Sequence, residues 1–397
     1  RNIWRNPRRT LITMSAVTLN TAALIASYAL IDGMMLGAVR NVTNVVVGEA
    51  QLHAPGYLSD RSLYKQVTQA GAALARADSL GIGAAARMYG YGLMAHETKS
   101  AGALFWGVDP ARERTAFDLA TYLESGEFLS DSAAHGLVIG KKLARSLNVS
   151  LGDEVVVVVQ AADGSMGNDL YTITGIVRTV GEQVDRGAAL MHIDDYRELF
   201  VYDGSPHEIA FNSRGSLTSR QIAAVMAPVA PGAEIETWQE LLPILNDMLQ
   251  LFDASMWVFG MIFFLAAGLG VVNTMLMATF ERIREFGVRK ALGESPWRIL
   301  TSVTVEALVL VTVAAALGIA VGGAGSWWLE VNGIDTRSIA GAYTVSGIAF
   351  DPLWRANLSV GGIVYPTLAL AVVCGLAALY PAAIAARTDP VEAMTHV

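Results

Sequence analysis

Four long apolar stretches limit the folds that are open to this chain. A helix needs about 20 consecutive, mostly apolar residues to cross the hydrocarbon core of a bilayer. The stretches cover residues 11–39, 254–280, 307–329 and 358–386, and the single charge inside them is Asp32. The whole chain is 53% hydrophobic and only 16% charged, which is apolar for a soluble protein. We therefore predict a membrane protein with four transmembrane α-helices.

The first stretch is about twice as long as the apolar region of a signal peptide, which spans roughly 7 to 15 residues. We expect it to be a retained helix. Because the chain begins at Arg1 and not at a methionine, we also expect some residues upstream of it.

Basic residues in short flanking segments predict the orientation of the spans. Four arginines precede the first stretch and residues 281–298 hold five basic residues, whereas residues 330–357 hold only Arg337 and Arg355. Short segments rich in lysine and arginine stay on the cytoplasmic side. We expect both termini to be cytoplasmic, in a multi-pass protein of the bacterial inner membrane.

The predicted fold is four transmembrane α-helices with a large α+β periplasmic domain inserted between helices 1 and 2. The segments expected along the chain are 1–39 for a cytoplasmic amphipathic segment and the first span, 40–252 for the periplasmic domain, 253–280 for the second span, 281–300 for a cytoplasmic helix, 301–329 for the third span, 330–357 for a short periplasmic loop, 358–386 for the fourth span and 387–397 for a cytoplasmic tail.

The inserted domain mixes two hydrophobic periodicities, which predicts α+β rather than a sandwich. Alternating or β-branched runs predict strands at NVVVGEAQLHA, GALFWGV, GLVIG, DEVVVVVQ, LYTITGIV and AALMHI. Helical periodicity is found at KQVTQAGAALARA, KKLARSL, DDYRELF and SRQIAAVMAPV. From Trp238 onward the pattern is helical without a glycine, so we expect one helix from there into the second span, with a possible kink at Pro243.

The residues that could carry chemistry do not form a recognisable catalytic, metal or cofactor site. None of the six histidines stands at metal-ligand spacing, and MHIDD, with His192, is better explained as a strand entering a helix capped by Asp194. GLVIGKKLARSL has three residues between its glycines and Lys142 where a phosphate loop has serine or threonine, so the chain is expected not to hydrolyse nucleotide. The net charge of −8 argues against nucleic acid as a partner. A membrane-anchored external enzyme stays open as an alternative.

Polar residues within the spans predict contacts between helices. Asn20 and Asn273 are expected to form interhelical hydrogen bonds, and the glycines of GLG (268–270) and GG (322–323) to allow close packing. Asp32 and Glu306 stand near the ends of their stretches, so we expect them at the membrane interface.

The charged stretch ERIREFGVRKALGESP, residues 281–296, lies between two apolar stretches. Its helical wheel places Ile283, Phe286, Gly287 and Ala291 on one face and a Glu285–Arg289 pair on another. Gly293 is expected to end this helix, with Ser295 as N-cap and Pro296 as first residue of the next. Anionic headgroups would repel the interleaved glutamates, so the mixed charges favour a protein partner over a lipid surface.

Two motifs and the topology together carry a family resemblance. The chain has REFGVRKALG after the second span, YPAAIAARTDPVEAM at its C-terminal end, RNIWRNPRRT before the first span and a large domain after it. In this combination it resembles the permease family of MacB, FtsX, LolC and LolE. The stretches QLHAPGYLSD, FWGVDP, LVIGKKLARSLNVSLGDEV and YTITGIV are similar to the LolC and LolE branch.

The resemblance implies an ABC transporter permease that acts as a dimer, with an identical or homologous second permease subunit. Unlike MacB, the chain has no fused nucleotide-binding domain, so ATP and Mg are expected on two copies of a separate cytoplasmic ATPase and no cofactor on this chain. The coupling helix that docks on the ATPase would use Arg284, Glu285, Phe286, Gly287, Arg289, Lys290, Ala291, Leu292 and Gly293. The C-terminal cytoplasmic motif would comprise Arg387, Asp389, Pro390 and Glu392.

The function implied is ATP-driven extraction or export of a lipidated or hydrophobic cargo at the outer face of the inner membrane. Met256, Phe259 and Phe263 are candidates for the lining of a cargo cavity, although such a stripe also suits plain helix packing. The alternative is a mechanotransmitting permease that drives a periplasmic adaptor or hydrolase without moving a substrate. In LolC a longer, proline-bearing hairpin hooks a periplasmic carrier; here only AADGSMGND, residues 161–169, stands at that place, and the resemblance does not extend to it.

Overall fold

The computed structural model describes residues 7–178, 180–336, 344–345, 348–349 and 353–389. Four of its helices are long and apolar enough to span a membrane: Thr10–Val47, Pro243–Glu281, Pro296–Asn332 and Val360–Arg387. The segment between the first and second of them folds into strands and short helices. The predicted fold class, four transmembrane helices with an α+β domain inserted after the first, is thereby confirmed.

The chain forms two compact units. Of the described residues, a helical unit comprises 7–36, 249–336 and 353–389, and a sheet unit comprises 37–178, 180–248, 344–345 and 348–349. The α-helices in chain order are α1 (Pro7–Val42), α2 (Tyr57–Asp60), α3 (Ala70–Ser79), α4 (Pro110–Ala116), α5 (Lys141–Leu147), α6 (Glu182–Gly187), α7 (Ile193–Leu199), α8 (Ser219–Met226), α9 (Trp238–Leu241), α10 (Pro243–Glu281), α11 (Ile283–Ala291), α12 (Pro296–Asn332) and α13 (Val360–Arg387). The strands are β1 (Ala50–His53), β2 (Gly83–His96), β3 (Lys99–Val108), β4 (Leu123–Gly126), β5 (Gly136–Gly140), β6 (Glu154–Gln160), β7 (Met166–Val177), β8 (Ala188–His192), β9 (Glu208–Asn212), β10 (Glu234–Thr237), β11 (Ile334–Asp335), β12 (Thr344–Val345), β13 (Ile348–Ala349) and β14 (Leu353–Trp354).

In the helical unit, α1 and α12 approach each other closely at two glycines. A Cβ on Gly318 would lie 2.4 Å from the Cβ of Thr21, and one on Gly322 would lie 2.8 Å from the Cα of Ala22. The predicted role of Gly322 is confirmed, because only a residue without a side chain fits there. The same prediction is wrong for Gly270 and Gly323, where a Cβ would meet open space.

Hydrogen bonds between the long helices follow the prediction only in part. Asn20 donates from Nδ2 to the carbonyl of Phe263 at 2.7 Å, as expected of an interhelical amide. Asn273, however, is exposed, and its neighbour Thr274 forms the contact between α1 and α10 instead, with its hydroxyl 2.7 Å from that of Thr13. Thr274 also donates a hydrogen bond to the Gly270 carbonyl of its own helix. Its hydroxyl therefore keeps a partner even without Thr13.

The sheet unit is built on one sheet whose pairings close a ring. The strand order is β10-β1-β9-β2-β3-β8-β5-β7-β4, and β6 pairs with both β2 and β7. Strands β2, β3, β8, β5, β7 and β6 therefore form a six-membered circuit. The long strand β2 makes this possible, because its first half pairs with β9 and its second half with β6.

Several buried apolar clusters stabilise this unit. The ring encloses side chains that include Phe105, Ile139, Val157 and Tyr171, each at most 1% exposed. The flanking strands β1 and β9 are covered by α3 and α8, which contribute Ala73 and Ile222 to a second buried cluster. Burial of such side chains is worth about 1.5–3 kcal/mol each before entropy is counted.

A buried charged cluster lies among strands β1, β2 and β9. Arg87 is completely buried and donates to Glu113 from Nη2 at 2.6 Å and to Glu208 from Nη1 at 3.3 Å. It also contacts the carbonyl of Val46 and stacks 4.4 Å from the ring centre of Phe117. Sequence patterns did not identify this cluster, because they did not predict the strand that carries Arg87.

The backbone departs from the predicted strand at NVVV. Residues Thr43–Val47 continue the course of α1 as a π-helix, and Val45 is buried at 2% exposure. Strand propensity is overridden by tertiary context. The strand begins only at Ala50, after Gly48 with a φ of +83°.

The predicted single helix from Trp238 is interrupted before the second span. Its first turn ends at Leu241, Leu242 has φ −127° and ψ 64°, and a new helix begins at Pro243. A residue before proline avoids the helical region, and proline itself suits the first helical position.

The predicted cap of α7 is wrong by two residues. The Nδ1 of His192 accepts from the backbone N–H of Asp194 at 3.1 Å, so His192 is the capping residue. Asp194 instead lies in the first turn of the helix.

Candidate functional site

The charged stretch folds as a short helix between two defined chain reversals. Arg282 leaves the helical conformation with φ −108° and ψ 10°, and α11 follows it. At the other end Glu294 N–H donates to the Arg289 carbonyl and Gly293 N–H to the Lys290 carbonyl, while Gly293 has a φ of +91°. This is a Schellman motif, in which glycine tolerates the left-handed conformation. The predicted stop at Gly293 and the start of α12 with Ser295 as N-cap and Pro296 as its first residue are confirmed.

One face of α11 is part of the core of the helical unit. Phe286 is 1% exposed and Gly287 is buried. Phe286 belongs to the same buried cluster as Ile299 of α12 and Ala382 of α13. The helix is therefore fixed to the ends of α12 and α13 and does not rest loosely on the surface. Ala291, predicted on this face, is exposed instead.

Arg282 links the beginning of α11 to α12. Its Nη1 lies 2.9 Å from Oε2 of Glu306, its Nε lies 3.3 Å from Glu285, and its guanidinium carbon stands 5.2 Å from the ring centre of Phe286. The Arg282 and Glu306 side chains are only 16% and 17% exposed. Glu306, expected at the membrane interface, is thus held by an arginine.

Arg289 closes the turn at the end of α11 by an ion pair with Glu294. The guanidinium donates from Nε at 2.5 Å and from Nη2 at 2.7 Å, one bond to each carboxylate oxygen. These bonds hold the pKa of Glu294 below its usual range and raise the pKa of Arg289. Both groups are therefore charged at neutral pH, and the bidentate geometry fixes the turn.

Lys290 joins the two motifs that the sequence singled out. Its Nζ donates to the carbonyl of Ala386 at 3.0 Å and to that of Thr388 at 2.8 Å, at the end of α13. A cation at a helix C-terminus also complements the helix dipole. The chain then continues through Arg387 and Asp389, which are exposed, whereas Pro390 and Glu392 lie outside the described residues.

The other side of this segment presents apolar side chains to the surroundings. Val288 is 47% exposed, Leu292 83% and Trp297 72%, and they stand among the exposed charges of Arg284 and Arg298. We call Arg284, Val288, Leu292, Trp297 and Arg298 the turn surface. Exposed apolar residues bordered by charge are typical of a protein-interaction site.

The nine residues predicted for this site thus divide into two groups. Phe286, Gly287, Arg289 and Lys290 face the chain's own core or pair with its residues, and Glu285 contacts Arg282. Arg284, Ala291, Leu292 and Gly293 are exposed. The prediction missed Trp297, although the sequence places this tryptophan directly after the predicted helix start at Pro296. It also missed Arg282 and Glu306, which are 24 positions apart and carry no local signal.

A cavity of about 500 Å³ lies among α1, α10 and α13. All three predicted residues, Met256, Phe259 and Phe263, line it. Its lining residues lie at 24–31 of α1, 253–264 of α10 and 365–369 of α13, so α10 and α13 contribute mainly their N-terminal halves. It is therefore at the opposite end of α10 from α11. The prediction missed the polar lining groups Tyr28, Asp253 and Tyr365.

Family models match most of the chain. The MacB-like periplasmic core domain matches residues 10–243, more than half of the chain, and the FtsX-like permease C-terminal model matches residues 257–390. The second match includes α11, α12 and all of α13.

Individual relatives agree with these matches. The lipoprotein-releasing system transmembrane protein LolC of Neisseria meningitidis is 20% identical over 402 residues, covering 98% of this chain and 94% of LolC. The macrolide export ATP-binding/permease protein MacB of Chromobacterium violaceum is 26% identical over 65% of this chain, but only 36% of MacB is covered. The ABC transporter permease YknZ of Bacillus subtilis is 35% identical over 33% of this chain and 28% of YknZ.

A full-length match to LolC, the two family models and four apolar helices with a mixed domain inserted after the first all lead to one assignment. The chain belongs to the MacB and FtsX family of ABC transporter permeases.

Proposed function

We propose that this permease couples ATP hydrolysis by a separate cytoplasmic ATPase to the extraction or export of a lipidated or hydrophobic cargo. The cargo would be taken at the outer face of the bacterial inner membrane. Support comes from LolC, a relative of similar length whose name describes lipoprotein release. The chain itself contains no GxxxxGK[ST] sequence, so ATP and Mg would be bound by the partner and no cofactor by this chain.

The orientation proposed follows the distribution of basic residues. The segment between α10 and α12 carries Arg282, Arg284, Arg289, Lys290 and Arg298, and would face the cytoplasm together with both termini. The inserted domain would then be periplasmic, and the cavity would lie near the periplasmic ends of the spans.

The turn surface is the proposed contact with the ATPase, and α11 the proposed coupling helix. The observation that carries this assignment is the combination of a core-anchored helix and an exposed, charge-bordered apolar face on its other side. Phe286, Lys290 and the Arg282–Glu306 pair attach α11 to α12 and α13. A movement of the ATPase against Val288, Leu292 or Trp297 would therefore also displace α12 and α13.

A dimer of permease subunits with two ATPase copies completes the proposed assembly. The second permease would be identical or homologous. Exposed apolar side chains along α10, such as Trp257, Met261, Leu265 and Leu269, give that helix a face for lipid or for the second subunit. The cavity lined by Met256, Phe259 and Phe263 would receive the cargo.

A mechanotransmitting role without transport is the second candidate. The observation that favours it is the length of α10, which continues for 39 residues without interruption from Pro243. A bilayer needs only about 20 of them. Such a helix would carry a movement of the cytoplasmic end beyond the membrane to an adaptor or hydrolase.

The coupling assignment is tested by purifying the tagged full chain from its native membrane, with ATPase turnover as the readout. A Leu292→Asp variant places a charge on the most exposed apolar residue of the turn surface without touching the Arg289–Glu294 pair. The matched control is Val360→Asp. Val360 is 79% exposed and is the first residue of α13, so it lies at the end of α13 that is opposite to Lys290 and α11. We expect the wild type and Val360→Asp to retain a nucleotide-hydrolysing subunit and Leu292→Asp to lose it.

Retention of the ATPase and of its turnover by Leu292→Asp would exclude the turn surface as the contact. Release of a lipidated protein or a lipid from the purified complex on addition of ATP would support transport. ATP turnover without release, accompanied by a periplasmic partner that stays bound, would support the mechanotransmitting role instead.

A further inference from the structure

The membrane cavity combines aromatic walls with a negative charge. Six of its lining residues are aromatic: Tyr28, Trp257, Phe259, Phe263, Phe264 and Tyr365. Asp253 is the one charged residue in the lining within the described part of the chain. A lipid tail alone would need the apolar walls but not the carboxylate.

A second carboxylate, Asp32, directly follows the cavity-lining residue Ile31 on α1. Asp32 accepts a hydrogen bond at 2.6 Å from the neutral side-chain amide of Asn357. Within residues 7–178, 180–336 and 353–389, neither aspartate forms an ion pair with a lysine, arginine or histidine. Among the described residues, therefore, no basic side chain pairs with the carboxylates of Asp253 and Asp32.

We propose that the cavity binds an amphiphile with a positively charged amine or quaternary ammonium head, its apolar part lying against Met256, Phe263 and Phe264. This deepens the proposed function and rests on it, because it names the chemical class of cargo. A cation gains from aromatic ring faces and from a nearby carboxylate such as the exposed one of Asp253. An anionic head of the same shape would be repelled by Asp253 and Asp32.

The test compares soluble probes that share a dodecyl tail and differ in the head. The full chain is placed in nanodiscs of digalactosyldiacylglycerol, an uncharged lipid without an ammonium group, and titrated calorimetrically with dodecyltrimethylammonium, dodecyl maltoside and dodecyl sulfate below their micellar concentrations. Empty nanodiscs give the partitioning background. We expect the ammonium probe to bind about tenfold more tightly than the maltoside, and the sulfate more weakly than either.

Two matched variants separate the carboxylate from general effects of charge. Asp253→Asn should remove most of the preference for the ammonium head and leave the affinity for the maltoside unchanged. Asp247→Asn changes an exposed aspartate on the same helix that does not line the cavity, and should leave both affinities unchanged. Phe259→Ala should weaken binding of the ammonium and the maltoside alike.

Equal binding of the ammonium and maltoside probes by the wild type would overturn the proposed ligand class and leave the proposed function standing. An equal loss of preference in Asp253→Asn and Asp247→Asn would also overturn it. If none of the probes binds above background, the cavity is not a cargo site of this kind. Coupling to the ATPase is decided separately, by Leu292→Asp.

Discussion

Replacement of Arg87 by methionine should open the sheet unit locally, because the change removes the arginine that pairs with two buried carboxylates, Glu113 and Glu208. Glu208 keeps only its 3.4 Å contact with His53 as an ion pair. Arg87 is fully buried, Glu113 is 1% exposed and Glu208 is 5% exposed. Methionine keeps much of the side-chain volume and removes the bonds to Glu113, Glu208 and the Val46 carbonyl. Breaking a buried ion pair by removing one partner costs about 3–5 kcal/mol.

The magnitude can be read locally by hydrogen exchange of the full chain, in peptides from β2 and β9. A loss of about 3 kcal/mol corresponds to exchange roughly a hundredfold faster where local opening is at equilibrium. Arg112→Met is the matched control, since Arg112 pairs with Asp78 at 3.0 Å but the two side chains are 34% and 54% exposed. Exposed pairs of this kind contribute about 0–1 kcal/mol, so exchange should change less than about fivefold.

A triple variant, Arg87→Met with Glu113→Gln and Glu208→Gln, tests the reason for the loss. Neutral amides avoid the uncompensated buried charge, so the triple variant should recover part of the protection that Arg87→Met loses. Exchange in β2 within threefold of the wild type for Arg87→Met would refute the argument. A triple variant that exchanges as fast as the single one would show that lost packing, and not charge, explains the effect.

Three further outcomes are expected. Gly322→Leu should lower the thermal stability of the full chain by about 1–3 kcal/mol, because its Cβ would lie 2.8 Å from Ala22, whereas Gly323→Leu, whose Cβ meets open space, should change it little; equal melting temperatures for the two variants would contradict this. Burial alone would raise the pKa of Glu208, but its hydrogen bond with His53 and the charge of Arg87 outweigh burial and lower it. A carboxyl whose pKa is lower in the folded state adds stability above its unfolded value of about 4.3 and loses it as pH falls through the folded value, so exchange of β9 should accelerate below about pH 4 and Glu208→Gln should remove that acid-dependent step. Lys290→Met should destabilise the full chain by about 1–2 kcal/mol through loss of the bonds to the carbonyls of Ala386 and Thr388, measurable by thermal unfolding, and a melting curve like that of the wild type would show that these bonds contribute nothing.

The sequence was sufficient for features that are local or set by a long pattern. The four spans follow from the lengths of apolar stretches, and the reversal at Gly293 to Pro296 follows from the conformational preferences of single residues. The candidate cavity residues Met256, Phe259 and Phe263 also follow from helical spacing, since residues three or four positions apart share one face.

Contacts between distant parts of the chain could not be predicted in the same way. The Arg282–Glu306 and Lys290–Ala386 contacts depend on how α11, α12 and α13 pack, and no spacing rule connects those positions. Strand β2 was missed because its sequence, GAAARMYGYGLMAH, is rich in alanine and glycine rather than in β-branched residues. Its strand conformation is set by pairing with β3 along its second part and with β9 at its first residues.

The geometry of α13 connects the two candidate sites within the helical unit. Its last turn is held by Lys290 of α11, and its first turns contribute Tyr365, Pro366 and Ala369 to the cavity. Pro366 cannot donate a backbone hydrogen bond to the preceding turn, so the helix is weakened where it borders the cavity. Under the proposed function, a force on the turn surface would move the C-terminal end of α13 together with α11, and the helix could yield at Pro366. Movement there would change the width of the cavity between α13 and the aromatic side chains of α10. In this way ATP hydrolysis at one end of the helical unit would alter the cargo cavity at the other end.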